Sequence, residues 1–184
     1  ELGYELYIEK NKAKEIYNLI VDKGKKYQLS HCGMHAMDIM RMESGFLHWG
    51  HDISPEENQY EAGLNFAISY KKNVDFVGKK ALLKIKDKKQ IKKFIMLTLK
   101  QSKPGEPLML HDEPIYLDGK IIGRTTSGNY SFNFNKNLAF GYVSINKSED
   151  LKSNKLEIEI EKIRYKASIE HHPLFDPKNS YLKS

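Results

Sequence analysis

From residue 91 onward the chain is a succession of short apolar runs divided by turn signals, and no helical period interrupts them. The runs are Phe94–Leu99 (FIMLTL), Pro114–Leu117, Lys120–Gly123, Leu138–Ile145 (LAFGYVSI), Leu156–Ile160 and Tyr165–Ile169. Asp118-Gly119 separates the second from the third, and this dipeptide suits a tight hairpin turn. Pro104–Pro107 (PGEP) reads as a loop. Short strands at this spacing, with no helix to cover them, predict a small antiparallel barrel or sandwich.

The preceding residues have a different pattern. Gly3–Glu9 (GYELYIE) alternates apolar and polar positions, which predicts a half-buried strand. Asn11 can cap a helix running to about Lys23, with Ile16, Leu19 and Ile20 on its apolar face and Gly24 as a left-handed C-terminal cap. A second helix is expected from Gly33 to about Gly45, its apolar stripe made by Met34, Met37 and Met40 and widened by Ala36 and Ile39. Leu64–Tyr70 (LNFAISY) reads as a short strand, and Asp75–Gly78 turns into a helix carrying Ala81, Leu82 and Leu83. The expected class is α+β, with a boundary near residue 90 that divides the chain into 1–90 and 91–184.

Between the second helix and Leu64, the run Arg41–Leu64 (RMESGFLHWGHDISPEENQYEAGL) holds the only Trp, two of the seven His and several carboxylates. Gly45 and Gly50 break the helical pattern, and Pro55 with Glu56–Gln59 marks a surface loop. Such a loop can wall a flat, hydrogen-bonding ligand, or it can hold a core Trp beside hydrogen-bonded histidines.

Composition narrows the function classes. The 184 residues suffice for one large or two small domains with a real core. No apolar run approaches the roughly 20 residues of a membrane span, so no membrane partner is expected. There is no secretory signal, and the first residue is Glu rather than Met, opening straight into a strand-like pattern; an N-terminal part is expected to be missing. Cys32 is the single cysteine, which suits a reducing compartment, read as cytoplasmic. The net charge of +6 comes from lysines scattered along the chain, with one denser run at Lys79–Lys93. Interleaved Leu82, Leu83, Ile85 and Ile91 make that run a solvated helix face, so no nucleic-acid partner is expected.

His31 and His35 have the four-residue spacing of two ligands on one helical face. Gly33 lies between them, there is no HExxH motif and one Cys is available, so no metal site is expected. His48 and His51 flank Trp49-Gly50 and precede Asp52, an imidazole–carboxylate grouping that could do acid–base work or could shape the loop. Gly123–Gly128 (GRTTSG) could cradle an anion on backbone N–H groups or form a hairpin turn. Glu5 alternates with apolar neighbours, so the pattern places it outward; inward, it would need a partner. There is no nucleophile elbow, P-loop or GxGxxG.

Taken together and in order, several stretches resemble the aminomethyltransferase family, the T-protein of the glycine cleavage system. These are Glu1–Leu6 (ELGYEL), Ala36–Gly45 (AMDIMRMESG), His48–Asp52 (HWGHD), Glu61–Leu64 (EAGL), Asp75–Lys79 (DFVGK), Gly123–Gly128, Ala139–Val143 (AFGYV) and Pro173–Pro177 (PLFDP). HWGHD followed by EAGL is most similar to the T-protein-like C-terminal region of dimethylglycine and sarcosine dehydrogenases. The resemblance implies the later part of a tetrahydrofolate-binding α+β domain, followed by a C-terminal antiparallel β-barrel. It implies one-carbon transfer from an aminomethyl or methylated glycine donor to tetrahydrofolate. Glu5 matches the family's pterin-binding glutamate. Tyr4 and Trp49 become ring-stacking or shaping groups, Asp52 and Arg124 pocket residues, and Arg41 with Glu43 a structural ion pair.

Three departures accompany the resemblance. Met37 stands before Asp38 where the family often has an arginine, and Ser131-Phe132 stands where a Ser-Pro pair often follows. The family's catalytic aspartate lies in an N-terminal half this chain lacks, so no catalytic residue is expected here. A flavin (FAD) domain, in the dehydrogenase branch, would also lie upstream. The expected partners are folate and the N-terminal remainder of the parent, with dimerisation through an exposed sheet edge a further expectation.

Overall fold

The computed structural model describes residues 3–144 and 155–183. Six antiparallel strands form a closed barrel in the order β1-β4-β3-β2-β5-β6: β1 (Lys92–Leu99), β2 (Pro114–Leu117), β3 (Lys120–Ser131), β4 (Lys136–Ser144), β5 (Leu156–Ile160) and β6 (Ile163–Glu170). The barrel expected from the strand spacing is present. Its β2–β3 hairpin turns at Asp118 (φ 49°) and Gly119 (φ 76°), the two positive φ values that a two-residue turn matching strand twist requires.

Side-chain alternation divides the apolar residues of the barrel into two sets. Leu156, Ile158 and Ile160 of β5 point inward, with Glu157 and Glu159 between them facing out. In β4 both faces are covered. Ala139 and Val143 join the interior with Leu97, Leu99, Ile115 and Leu117, while Leu138 and Phe140 pack outward against Ile39 and Met42. That second cluster joins the barrel to the helix preceding it. Burying Ile39 and Met42 there contributes about 1.5–3 kcal/mol each. Where β3 passes β4, a Cβ on Gly123 would lie 1.9 Å from the carbonyl oxygen of Tyr142, so only glycine permits this register.

Before the barrel come α1 (Ala13–Gly24), α2 (Met34–Glu43) and α3 (Lys79–Ile85); α4 (Ser180–Lys183) follows it. Of the described buried hydrophobic residues, only Ile39, Met42 and Ala62 precede β1. Several expectations change as a result. Gly3–Glu9 joins no sheet and is exposed, because no described strand lies beside it to take its backbone hydrogen bonds. Leu64–Tyr70 likewise forms no strand but a short 3-10 turn at Asn65–Ala67. The sole described sheet is closed, so it presents no free edge for dimerisation.

The helix faces also differ from the pattern. Met34, Met37 and Met40 are exposed, and α2 instead buries Ile39, Met42 and Glu43 against the barrel. Leu19 and Ile20 of α1 are exposed too. Gly24 is right-handed (φ −71°) and buried, with Leu29 packed onto it; the left-handed residue is Gln28, one short 3-10 turn later. Gly123–Gly128 is no turn: it runs along the middle of β3. No described helix is long and apolar enough to cross a membrane.

Candidate functional site

Helix α2 and the loop after it sit on the outer face of β3 and β4 through two buried carboxylates. Asp52, 1% exposed, accepts four hydrogen bonds. Arg41 Nη1 (2.7 Å) and the His48 backbone N–H (2.9 Å) reach Oδ2, while Thr126 Oγ1 (2.6 Å) and Ser127 Oγ (2.8 Å) reach Oδ1. Its carbonyl oxygen accepts the Tyr142 hydroxyl at 2.9 Å, and burial pushes that hydroxyl's pKa upward. Arg41 also binds Asp38, the Phe46 carbonyl and Ser127 Oγ. Glu43 accepts the Ser131 hydroxyl (2.6 Å) and the Asn133 amide (2.8 Å). Arg41 and Glu43 therefore tie the helix to the barrel as expected, but through separate partners rather than as a pair.

The hydroxyls of β3 explain the TTS run. Thr125 Oγ1 accepts the Glu113 backbone N–H, Ser127 and Ser131 donate to the buried carboxylates, and a register shift between Thr125 and Ser127 accompanies the reach of both Thr126 and Ser127 to Asp52. The sequence did not point to Thr126, Ser127 and Tyr142 as partners of Asp52, nor to Ser131 and Asn133 as partners of Glu43. The hydroxyl-rich stretch was the available signal, but only its position on a strand facing Asp52 shows its use.

The Asp52 network closes the loop between Phe46 and Ile53 into a tight ring. The His48 carbonyl receives the N–H groups of His51 and Asp52, and Gly50 N–H donates to the Ile53 carbonyl. Gly50, at φ 88°, occupies the left-handed region the ring needs. Trp49 projects from it, 65% exposed. The rings of His48 and His51, both exposed, lie against one another with centroids 4.6 Å apart and planes tilted by 37°. Asp52 meets the His48 backbone and not either imidazole, so the imidazole–carboxylate grouping does not form. No described group of three or more His, Cys, Asp or Glu could hold a metal ion, and His31 Nε2 instead lies 2.7 Å from the Tyr17 hydroxyl.

A cleft of about 710 Å³ opens beside this loop, lined by His51, Asp52, Glu57, Lys92, Arg124 and Tyr142 among others. It brings Asp52 and Arg124 together; Tyr4, Glu5 and Trp49 are not among its lining residues. Arg124 is exposed and donates to Asp112 at 2.8 Å. The His111 hydrogen bond, aided by the Arg124 charge, holds Asp112 below the usual carboxylate range. Glu5, on the exposed N-terminal segment, accepts the Tyr7 hydroxyl at 2.7 Å, and that bond raises the Tyr7 pKa. Tyr4 is exposed beside it. A larger cleft of about 1090 Å³, lined by Phe46, Leu64, Phe94, Ile169 and His172 among others, holds none of these candidate residues.

On the floor of the smaller cleft Lys92 pairs with Glu57 and lies 5.1 Å from the Tyr142 ring centroid. Burial opposes ionisation of Glu57, but Lys92 and Ser54 outweigh it and hold its pKa below the ordinary 4.5. A depressed carboxylate contributes stability that is present above 4.5 and lost as pH falls through the lower folded value. Thermal melts from pH 7 to 3 should therefore show a smaller loss of Tm on acidification for Glu57→Gln than for the parent. Glu113, whose pKa burial raises, acts in the opposite sense in both proteins and cancels from the difference. Parallel profiles would show that the Lys92 pair contributes nothing.

Comparison with known proteins places two family descriptions on the chain: the GCVT N-terminal domain over residues 1–72 and the glycine cleavage T-protein C-terminal barrel domain over residues 92–176. The chain is 36% identical over 183 residues to the 4-methylaminobutanoate oxidase (formaldehyde-forming) of Paenarthrobacter nicotinovorans, covering 100% of this chain and 22% of that protein. It is 35% identical over 174 residues to the mitochondrial dimethylglycine dehydrogenase of Homo sapiens, covering 95% and 20%. To an aminomethyltransferase of Symbiobacterium thermophilum it is 32% identical over 145 residues, covering 79% and 38%. The chain thus spans about a fifth of the first two relatives. The crystal structure of glycine cleavage system aminomethyltransferase T from Bartonella henselae shares the fold, with a TM-score of 0.74 at 22% identity over 91% of this chain and 45% of that one.

Proposed function

Because the chain belongs to the glycine cleavage T-protein family, matched by the family's N-terminal domain over residues 1–72 and its barrel over 92–176, we propose that it is the C-terminal section of a tetrahydrofolate-dependent aminomethyltransferase region within a larger dehydrogenase-like protein. Identity to oxidase and dehydrogenase relatives along essentially the whole chain supports that placement. On this reading residues 1–90 belong to the folate-binding domain and 91–184 to the barrel. The donor is a methylated glycine or another aminomethyl compound. A flavin, if the parent carries one, is bound by another part of it. The compartment is the cytoplasm, and the exposed free thiol of Cys32 suits a reducing environment.

Bound tetrahydrofolate would supply the nitrogen that accepts the one-carbon unit. The single observation that carries a folate role for this chain is Glu5. Among the described residues its carboxylate is engaged only by the Tyr7 hydroxyl, which leaves acceptor positions for the adjacent N–H donors along a pterin edge. Tyr4 and Trp49 offer uncovered aromatic faces. Asp52 has all four acceptor positions filled by protein donors, so it shapes the loop from beneath, and Arg124 retains donors beyond the one on Asp112.

Calorimetric titration with 5-formyltetrahydrofolate tests the reading. Saturable binding is expected, and Glu5→Gln should weaken it about 10- to 100-fold, the range for a hydrogen bond to a charged group. Glu5 is exposed, so the substitution should leave the melting temperature unchanged. Equal affinity in the two proteins would remove Glu5 from the site. A second reading is a binding or assembly module that kept the fold and lost folate; Met37, in place of the family's arginine, favours it. Absence of folate binding, with partner binding intact in Glu5→Gln, would support that reading instead.

A further inference from the structure

Lysines occur along the whole chain, but its net positive charge resides in one stretch. Residues 71–93 hold ten lysines and two aspartates, a net +8 against +6 for the full chain, so the remainder is net −2. No arginine lies in the stretch. It runs from the turn before α3, through α3, to the start of β1. Both ends are fixed to the loop after α2. The Tyr70 hydroxyl meets that of Tyr60, and the Gln90 side-chain carbonyl accepts the Asn58 amide at 3.0 Å. Between these anchors α3 half-buries Lys79, Leu82 and Ile85 on one side. On the other, Lys80, Leu83 and Lys84 face solvent. Val74 and Val77 of the preceding turn do the same, each at least 74% exposed.

This charge has few local partners. Of the ten lysines only Lys92 pairs with a carboxylate among the described residues, while Lys79 and Lys86 lie over the rings of Phe76 and Tyr70. A ring face attracts a cation without neutralising it. An uncompensated positive face calls for an anionic partner, and the side-chain types decide which. Nucleic acids are gripped by arginine forks and stacked on aromatic faces. Here point-charge lysines surround aliphatic valine and leucine. That combination fits diffuse negative charge with an apolar layer beneath it.

We infer that the outer face of α3, together with the Val74–Val77 turn, is a peripheral docking surface for an anionic phospholipid bilayer. Lys80 and Lys84 meet the headgroup layer, and Val74, Val77 and Leu83 reach the acyl boundary. No membrane span is needed, because the lysines attract an anionic surface over a Debye length, about 10 Å at 0.1 M salt. The inference stands apart from the folate reading, since neither Glu5 nor Trp49 lies in the stretch.

The 184-residue chain is sedimented with vesicles of phosphatidylcholine and phosphatidylserine in equal parts, and with vesicles of phosphatidylcholine alone. It is titrated separately with heparin, a soluble polyanion. Binding to the phosphatidylserine vesicles is expected, and added salt should weaken it steeply. Replacing Lys80 and Lys84 together by alanine should weaken it about 20-fold, at about fivefold for each surface lysine. Val74→Ser combined with Val77→Ser should weaken it about tenfold through lost apolar insertion, and should leave heparin binding unchanged. All four side chains are exposed, so both double variants should melt as the parent does. No binding to the anionic vesicles, or equal binding to phosphatidylcholine alone, would overturn the inference. So would vesicle binding that needs the lysines but not the valines, alongside heparin binding of equal strength. That result would put a soluble acidic macromolecule in place of the bilayer.

Discussion

Asp52→Ala is expected to lower the unfolding free energy by about 3–5 kcal/mol, the range for removing one member of a buried charge pair. The loss has several parts. The Arg41 side chain, 16% exposed, would keep its charge in a largely dry place, with Asp38 as its remaining carboxylate. Thr126 would lose its acceptor, as would Ser127 and the backbone N–H of His48. Unsatisfied buried donors cost more than the net worth of the bonds they formed. For a chain of this size the corresponding fall in Tm is about 10 °C. Urea denaturation followed by circular dichroism measures it. Asp52→Asn should cost less, because the amide keeps the shape and one acceptor oxygen. A loss under about 1 kcal/mol for Asp52→Ala would mean that water already shares the site.

Phe140→Ala is the second large effect, again about 3–5 kcal/mol. Phe140 is fully buried in the outer cluster, where Phe94 meets its ring edge-on at 5.1 Å and the Arg41 guanidinium lies 5.7 Å from the ring centroid. Ile39 and Met42 of α2 complete the cluster. Truncation would open a cavity at the joint between α2 and β4, not in the barrel interior. The location gives the prediction its signature. Amide exchange should accelerate throughout α2 while β2 and β5, on the far side of the barrel, retain their protection. Uniform acceleration over all six strands would show that the outer cluster and the barrel unfold as one unit.

How much of this was legible in the sequence differs along the chain. The six strands follow from local rules. Alternation in Leu156–Ile160 and the Asp118-Gly119 turn act between near neighbours, and the barrel supplies every strand with a partner. Gly3–Glu9 has an equally good alternating pattern but no described strand beside it, so the pattern alone makes no sheet. The methionine stripe of α2 failed for a related reason. Period fixes which residues share a face, but not which face meets the barrel. Buried Glu43 decided that question, because two donors on or beside β3 satisfy it.

The site shows the same division. The ordered motifs pointed to the family, and they singled out Arg41, Trp49 and Asp52 within one short run of the chain. They did not show that Asp52 faces Arg41 and the β3 hydroxyls, which lie 74 and 75 positions away along the chain. Nor did they show that the His48 and His51 rings meet. Sequence by itself determined the apolar runs of the barrel strands, the Asp118-Gly119 turn and the family, because those rest on residue type and spacing over a few positions. Tertiary structure alone decided which carboxylates are buried and which aromatic rings remain in water. Those outcomes depend on donors and surfaces brought together from distant parts of the chain, and spacing carries no record of that meeting.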